Sequence, residues 1–429
     1  MIGELALLFG VMIGLLMLGL PIFFAIGAAG AAYAIVYAPK VPLMIIGQRF
    51  VNGLDSYDFA AIPFFFLAGE IMNRGGISAR LLRFARAAIG HIRGGLSHVN
   101  VLASMVFAGV SGSAAADASA IGSVMIPAMK REGYPAAYAA SVTAASATIG
   151  PMIPPSIPLV IYALFAKQSV GQMFLAGVLP GLGMGLVLLA ASIWISRRRN
   201  YPSRPWQGWG ELARSGVTSA LALALPVIVV AGLVSGAATT TEIGAIAAAY
   251  AVLVTSLVYR ELPLRDLWTA LCTAAVDSCR VLIIIAVAGI FSYIIASMGL
   301  AYSLAKLASG LSDDPAIVLA VIMLILLLLG TVLEPVTLLV VIVPILVPTA
   351  QAVGIDPIQL GTVAVLATLV GLVTPPVGFL IYLTAAQAQV RAGPVIRELT
   401  PFVLALIALL VALVFVPGLS LWLPRLFFG

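Results

Sequence analysis

A pair of adjacent prolines occurs twice in this chain, each time inside a long apolar segment. The first ends the stretch Gly150-Pro-Met-Ile-Pro-Pro155, and the second ends Gly371-Leu-Val-Thr-Pro-Pro376. Proline lacks a backbone N–H and its ring clashes with the preceding turn, so neither segment is one continuous helix. In hydrocarbon the freed backbone groups are costly, and such breaks survive only inside protein or beside a watery cavity. Two matched breaks are typical of a secondary transporter that binds its cargo where two repeats meet.

The composition places these segments in a membrane. Of the 429 residues 62% are hydrophobic and 9% are charged, far from the averages of soluble proteins. Apolar runs of about twenty residues recur from end to end, and the first lacks the basic region and cleavage site of a signal peptide, so we interpret it as a retained span. The net charge of +6 is attributed to membrane topology rather than to nucleic-acid binding, because there is no basic stripe with aromatic residues.

The motifs that are missing from the sequence exclude several kinds of chemistry. There is no GxxxxGK[ST] loop, which excludes ATP hydrolysis by this chain, and no GxSxG or HExxH motif. Two histidines and two cysteines without a cluster argue against a transition-metal centre. We therefore expect a protein that is not an enzyme and that couples to an ion gradient.

The order of apolar segments predicts an all-α polytopic membrane protein. A small, polar break inside residues 95–130 predicts a re-entrant helical hairpin, and residues 315–350 predict a second one. Two broken helices follow these hairpins, at 136–166 and 358–388. The predicted domains are scaffold spans 1–75, an interfacial arm helix 76–94, a transport-domain half 95–196, a cytoplasmic linker 197–215, scaffold spans 216–298, a second arm helix 299–314 and a second transport-domain half 315–429.

Three finer boundaries are also predicted. The first apolar segment is too long for one span and is divided at Gly19-Leu-Pro21. Residues 262–275 are interpreted as an interfacial helix, separate from a span at 277–297. The last span is placed at 399–424.

A fixed offset relates the two halves. Six glycines and prolines recur when 221 is added to the residue number. The first set is Gly109, Pro127, Gly133, Gly150, Pro154 and Pro155, and the second is Gly330, Pro348, Gly354, Gly371, Pro375 and Pro376. Residues 74–93 carry five arginines and no acid, whereas the matching stretch 297–316 carries one lysine and two aspartates. The positive-inside rule therefore predicts inverted repeats with both termini outside.

Unpaired backbone carbonyls at the breaks and hairpin tips are the predicted ion ligands, because they suit a bare hard cation such as Na⁺. The alternative is a pair of proline kinks without function. The predicted ligands are Ser111, Gly150, Ile153 and Pro155 at the first break, and Gly330, Val332, Gly371, Thr374 and Pro376 at the second.

Asp117 is the most informative single residue, because an intramembrane carboxylate is costly and by default functional. It is predicted to contact the substrate or to couple to a cation; the alternative is an acid that caps a helix or pairs with arginine. Glu334 at the other hairpin tip is a second candidate, with helix capping as its alternative. Ser113 and Ser119 are candidates for binding substrate hydroxyls, although serine is also a common packing residue in membranes.

The sequence resembles, over nearly its full length, the large membrane subunit of tripartite ATP-independent periplasmic (TRAP) transporters. The motifs that carry the resemblance are Gly90-His-Ile-Arg-Gly-Gly-Leu96, Gly109-Val-Ser-Gly-Ser-Ala-Ala-Ala-Asp117, Ile126-Pro-Ala-Met129, Gly150-Pro-Met-Ile-Pro-Pro-Ser156, Leu333-Glu-Pro335 and Thr374-Pro-Pro-Val-Gly378.

This resemblance implies an elevator-type transporter in the bacterial inner membrane. It implies import of an organic acid, coupled to two or more Na⁺ ions, with substrate delivered by a periplasmic binding protein. It also implies a small membrane subunit, expected as a separate protein, and contact with membrane lipids but not with nucleic acid. It further implies Na⁺ sites at the carbonyls named above and an acid beside the substrate at Asp117; Val332 has no hydroxyl where the first repeat has Ser111, so only its backbone serves there.

Two other functions remain open at this point. A one-component sodium/dicarboxylate symporter shares broken helices and hairpins but typically has Ser-Asn-Thr at the hairpin tips, whereas here the tips read Ser-Gly-Ser and Val-Leu-Glu-Pro. A channel or scaffold protein would show no alternating access. The sequence does not choose among dicarboxylates, sugar acids, sialic acid and oxo acids as substrate.

Overall fold

The computed structural model describes residues 2–37, 43–300, 303–304, 306, 310, 312 and 314–429, and these contain helices but no β-strand. The helices are α1 Ile2–Met17, α2 Ile22–Tyr37, α3 Leu43–Asn52, α4 Ala61–Arg74, α5 Ile77–Ile89, α6 Gly95–Ser111, α7 Ala114–Arg131, α8 Ala136–Ala147, α9 Ile157–Ala166, α10 Val170–Arg198, α11 Trp209–Val234, α12 Thr240–Leu253, α13 Leu264–Ser297, α14 Pro315–Gly330, α15 Pro335–Ala352, α16 Pro357–Gly371, α17 Phe379–Ala388, α18 Ala392–Phe415 and α19 Gly418–Phe428. Half of the residues of the predicted second arm helix, 299–314, lie outside the described residues.

The prediction of an all-helical membrane protein is confirmed. Six of the described helices are long and apolar enough to cross a membrane. They are Val170–Arg198, Trp209–Val234, Thr240–Val258, Leu264–Ser297, Pro335–Ala352 and Ala392–Phe415. The predicted division near Gly19 is also confirmed, since α1 ends at Met17 and α2 begins at Ile22.

Two predicted boundaries are wrong. Residues 264–297 form one helix of 34 residues rather than an interfacial helix and a separate span. The polar residues that suggested a boundary have their partners within this helix. Arg280 pairs with Asp277 one turn away (2.9 Å), and Ser278 donates to the carbonyl of Ala274 (2.6 Å). The last apolar segment is two helices rather than one, because α18 ends at Phe415 and Pro417 precedes the short α19.

Helix positions in the first half recur in the second half at the offset found in the sequence. Adding 221 to the bounds of α7 gives those of α15, and α17 begins one residue after the position that corresponds to the start of α9. Contacts repeat as well: α7 packs against α17, and α15 packs against α9. In each half, the second hairpin helix therefore packs against the broken helix of the other half. These contacts join the two breaks in one packed unit.

The arm helix α5 is tied to the rest of the protein on both of its faces. Ile77, Leu81 and Ala85 are fully buried. On the polar face Arg80 donates two hydrogen bonds to Glu261 (2.9 and 2.6 Å), and its guanidinium lies 4.0 Å from the centre of the Tyr259 ring. The arm helix is thus amphipathic, as its arginine pattern predicts, and two of its arginines, Arg80 and Arg83, bind acids of the second half.

Acidification is expected to weaken this attachment. The hydrogen bonds from Arg80 lower the pKa of Glu261, so the pair stabilises the folded protein above the unfolded-state pKa of about 4.3 and this stability is lost as the pH falls through the lower folded-state pKa. The thermal unfolding midpoint of Glu261→Gln should therefore lie below that of the wild type at neutral pH and approach it in acid. Asp277→Asn, which removes an exposed pair within one helix, serves as the control. Parallel pH curves for the wild type and Glu261→Gln would contradict this expectation.

Candidate functional site

The first proline pair interrupts the chain between α8 and α9. The helix α9 begins after Ser156, whose hydroxyl accepts a hydrogen bond from the N–H of Leu159 (3.2 Å) and donates one to the carbonyl of Pro151. The peptide between Pro154 and Pro155 is cis, as is the one between the prolines of the second break. The break is a fixed turn held by its own side chains.

The turn between α6 and α7 sits directly on this break. Gly112 has a φ of 57°, a left-handed conformation that favours glycine. A Cβ atom at Gly112 would lie 2.9 Å from the carbonyl oxygen of Pro155, closer than an alanine tolerates. Ser113 caps the start of α7, and its hydroxyl accepts a hydrogen bond from the N–H of Ala116 (3.4 Å). Ser111 is the last residue of α6, and its side chain lies outside the described part of the chain.

Asp117 lies one turn along α7 and is fully buried. A Cβ atom placed on Gly150 would be 3.7 Å from Asp117 Oδ2, so the carboxylate faces the first break. Neither carboxylate oxygen has a hydrogen-bond partner among the described residues. Ser104 also faces this carboxylate, but its hydroxyl donates to Ser146 Oγ (3.1 Å). The helix is capped by Ser113, and no described salt bridge involves Asp117, so neither structural role that was considered for this acid is observed.

Polar side chains between α6 and α8 form a hydrogen-bonded group that includes Ser104, and they were not predicted from the sequence. Asn100 donates to Thr143 Oγ1 (2.7 Å), and Ser146 donates to Asn100 Oδ1 (3.3 Å). All of these side chains are buried. Their signal is the spacing of Asn100 and Ser104 by four residues and of Thr143 and Ser146 by three, which puts each pair on one helix face.

The second break also contacts the turn of its hairpin. Gly330 ends α14 and Gly371 ends α16, and a Cβ atom on Gly371 would lie 2.4 Å from the carbonyl carbon of Gly330. The N–H of Gly378 donates to the carbonyl of Thr331 (3.0 Å). Thr374 is in the same turn, where its N–H donates to the carbonyl of Gly371 (3.0 Å). Three predicted ligands of the second ion site are therefore neighbours.

The two breaks differ in their exposure. In the first break, Pro154 and Pro155 are buried and Ile153 is half-buried. The cause is a pair of glycines on α10, which lets that helix approach the break closely. A Cβ atom on Gly177 would lie 2.6 Å from Met152 O, and one on Gly181 would lie 2.5 Å from Ile153 Cγ1. In the second half the same offset gives Glu398 and Phe402 instead of the glycines. There Pro375 and Pro376 are exposed, and so is Val332, at 64%.

The acidic candidates also differ. Glu334 stands at the N-cap position of α15, but its side chain makes no capping hydrogen bond and is exposed. The position that corresponds to Asp117 in the second half is Leu338, which is fully buried. The second break therefore has no buried carboxylate at that position.

The predicted substrate serines do not all lie near Asp117. Ser119 is exposed, and two residues along a helix correspond to roughly opposite faces. Ser113 is half-buried at the hairpin tip. Asp117 therefore belongs with the carbonyls of the first break, whereas Ser119 belongs with the open face of α7.

The described residues contain no group of three or more His, Cys, Asp or Glu side chains that could hold a metal ion. A cation at either break would depend mainly on backbone oxygens, with Asp117 as the one buried acid at the first. This is a donor set for an alkali cation rather than for a transition metal.

Comparison with solved structures shows which fold the chain shares. The chain is similar to the YdaH transporter of Alcanivorax borkumensis, with a TM-score of 0.62 over 89% of each chain and 14% sequence identity. The protein thus shares the fold of that structure.

The family follows from the sequence comparisons. The chain belongs to the family of the DctM component of tripartite ATP-independent periplasmic transporters, whose model matches residues 9–419. It is 37% identical to the 2,3-diketo-L-gulonate TRAP transporter large permease protein of Escherichia coli over 96% of both chains. It is 36% identical to the sialic acid TRAP transporter large permease protein of Vibrio cholerae over 97% of both. It is also 36% identical to the isethionate TRAP transporter permease protein DctMQ of Oleidesulfovibrio alaskensis, covering 98% of this chain and 66% of that protein. The protein is a transporter permease and not an enzyme.

Proposed function

We propose that this protein imports an organic acid by Na⁺-driven secondary active transport. The observation that carries the proposal is the fully buried carboxylate of Asp117, whose oxygens have no described hydrogen-bond partner and which faces the break at Gly150. A buried, unpaired carboxylate is costly, and a small cation held between it and nearby carbonyls removes that cost.

The first Na⁺ site uses the carbonyls of Ser111, Gly150, Ile153 and Pro155, with Asp117 supplying the negative charge. The second uses the carbonyls of Gly330, Val332, Gly371, Thr374 and Pro376. The direct contact of Gly330 with Gly371 supports it, because this contact holds the ends of two helices together. The carbonyl ends of helices carry partial negative charge, which favours cations. Ion binding at these junctions thus stabilises the contact between hairpin tips and breaks.

The substrate binds at the hairpin tips, where the N-terminal ends of α7 and α15 favour an anionic group. Ser113, Ser119 and Glu334 are the proposed side chains that contact its hydroxyl groups. The relatives named above support an organic acid, since 2,3-diketo-L-gulonate, sialic acid and isethionate each carry one acid group. We propose a carboxylate or sulfonate of this kind as the cargo.

The movement proposed is that of an elevator. Hairpins α6–α7 and α14–α15 are re-entrant, and together with the two broken helices they form a transport domain built from inverted repeats. The offset of 221 and the matched contacts of α7 with α17 and of α15 with α9 support the repeat, and the charge bias of residues 74–93 supports the inversion. The arm helix and spans α1–α4 and α11–α13 form the scaffold.

Family membership implies two partners, a small membrane subunit and a periplasmic binding protein. The relative DctMQ supports the first, since the present chain spans only 66% of its length. The bacterial inner membrane is the location that such partners require.

Uptake should rise steeply with the Na⁺ concentration. In proteoliposomes that contain the complex, with the binding protein outside, we expect a Hill coefficient above one, because two ion sites are coupled to one substrate. The acids to test first are N-acetylneuraminate, isethionate and malate, the last as an example of the dicarboxylates that the sequence leaves open, with K⁺ replacing Na⁺ in the control.

Three outcomes would contradict parts of this proposal. Uptake that does not depend on Na⁺ would contradict the two proposed Na⁺ sites. Equal uptake without the binding protein favours a one-component symporter. Acid flux that persists with the hairpins crosslinked to the scaffold favours a channel.

A further inference from the structure

A large cavity lies beside α7, away from both breaks. Its volume is about 620 Å³, in the range of small-molecule sites, and it is bounded by α4, α5, α7, the linker before α11, and α11 itself. Its polar lining includes Asn73, Ser78, Ser123 and Gln207. The cavity has room and hydrogen-bonding groups for a hydroxylated acid.

The cavity contains one cation without a protein partner. Of the two arginines that line it, Arg83 is paired with Glu211 (2.6 Å), which also lines the cavity. Arg86 makes no hydrogen bond or ion pair with the described residues, and its Nε atom is buried. An unpaired, half-buried guanidinium calls for an anion, and its planar donors match a carboxylate or sulfonate.

Two further arginines lie near Arg86, together with one acid, Glu132. Arg86 also lines a smaller cleft with His91 and Arg204, and Arg131 is near. Burial first, and then the charge of Arg204, lowers the pKa of Arg86, with Arg131 adding a smaller effect against that of Glu132. Arg204 is itself paired with Glu132, so Arg86 is the cation that an entering anion would meet.

The open face of α7 connects this cavity to the hairpin tip. Ser119, Ser123 and Val124 are all exposed, and Ser123 and Val124 line the cavity. Ten residues separate Ser113 from Ser123, which is about 15 Å along a helix. A molecule that leaves the tip along this face reaches Arg86 within two to three helical turns.

We propose that this cavity is a second acid-binding site, in which Arg86 pairs with the carboxylate or sulfonate of the transported acid on the cytoplasmic side. This inference rests on the proposed function, because the acid that binds here is the cargo. The site holds the cargo after it leaves the hairpin tip and so sets how strongly cytoplasmic cargo slows further uptake. An anionic lipid headgroup could also pair with Arg86. The polar residue of α7 that lines the cavity, Ser123, and the continuity of this face with the hairpin tip favour the cargo.

The test is inhibition of uptake by cargo inside the vesicle. The complex is reconstituted with the binding protein outside, which selects one orientation, and the lumen is loaded with increasing malate, N-acetylneuraminate or isethionate, whichever is transported. Arg86→Gln is expected to raise the lumenal concentration for half-inhibition about ten-fold, the effect of losing one charge-assisted hydrogen bond. The KM for uptake and the Na⁺ dependence should stay unchanged.

Arg214→Gln is the matched control, since Arg214 is exposed and lies near Glu211 but does not line the cavity. Unchanged half-inhibition in Arg86→Gln, or an equal shift in Arg214→Gln, would overturn the proposal. So would a shift in Arg86→Gln that is seen with anionic lipid and disappears when that lipid is replaced by zwitterionic lipid. In all three cases Na⁺-driven uptake by the wild type would still stand, whereas its absence would refute the proposed function itself.

A second measurement needs neither transport nor the Arg86 variant. Ser123→Cys, with the exposed Cys272 and Cys279 changed to serine, places one thiol in the cavity. Malate, N-acetylneuraminate or isethionate should slow its modification by a neutral thiol reagent several-fold, and an unchanged rate with all three would overturn the proposal.

Discussion

Asp117→Asn is expected to abolish Na⁺-driven uptake while leaving the protein folded. The change keeps the shape of the side chain and removes its charge from a fully buried position beside the first break. A unit charge about 4 Å from a cation at an effective dielectric constant of about 20 contributes about 4 kcal/mol, or about a thousand-fold in affinity. The measurements are uptake in proteoliposomes at increasing Na⁺ and Na⁺-dependent thermal stabilisation of the purified complex.

Asp356→Asn provides the control for this change. Asp356 also stands at the start of a helix, but its carboxylate accepts from the N–H of Ile358 (2.8 Å) and so has a capping role. This variant should retain its dependence on Na⁺. Normal uptake by Asp117→Asn at low Na⁺ would show that the carboxylate does not hold the coupling ion, and would return Asp117 to a purely structural role.

The breaks and their spacing could be predicted from the sequence because their causes are local. A proline pair stops a helix whatever surrounds it, and a glycine permits a turn such as that at Gly112. For this reason the fixed offset found in glycines and prolines reappears in the bounds of α7 and α15.

Which side chains face one another could not be predicted in the same way, because it depends on neighbouring helices. Asp117 and Ser119 are two residues apart, and only the packing of α7 assigns the first to the break and the second to the open face. The arginines of the arm helix present the same difficulty. Their spacing predicts a basic face, but only the fold pairs Arg80 and Arg83 with acids and leaves Arg86 without one.

The unequal exposure of the two breaks could also not be predicted from the sequence. It arises from Gly177 and Gly181, which lie far from the motifs and act by letting α10 approach the first break. Residues 264–297 are a further example, since a polar stretch within an apolar segment looks like a boundary. The helix continues because those polar groups are satisfied within it, by an ion pair at Asp277 and a backbone hydrogen bond from Ser278.

Gly371→Ala is expected to destabilise the second break and to stop uptake. The corresponding change in the first break, Gly150→Ala, is expected to leave the fold intact. The new Cβ atom at Gly371 would lie 2.4 Å from the carbonyl carbon and 2.6 Å from the carbonyl oxygen of Gly330, and backbone cannot rotate away as a side chain can. The hairpin tip must then move, breaking the hydrogen bond from Gly378 to Thr331. Overpacking of this kind costs about 1–3 kcal/mol, and loss of the ion site should stop uptake.

The contrast with Gly150 separates this contact from a general need for glycine in the motif. A Cβ atom at Gly150 meets its nearest neighbours at 3.4 and 3.7 Å, which is ordinary contact, so Gly150→Ala should keep the wild-type unfolding midpoint. Gly393→Ala, with no atom within 4 Å of the new Cβ, measures the effect of alanine alone at an exposed helix position. The measurements are thermal unfolding and Na⁺-dependent uptake of the three variants. The unfolding midpoint of Gly371→Ala should lie below those of the other two. If Gly371→Ala is as stable and active as Gly393→Ala, the close approach of Gly330 to Gly371 is not what holds the second hairpin tip on its break.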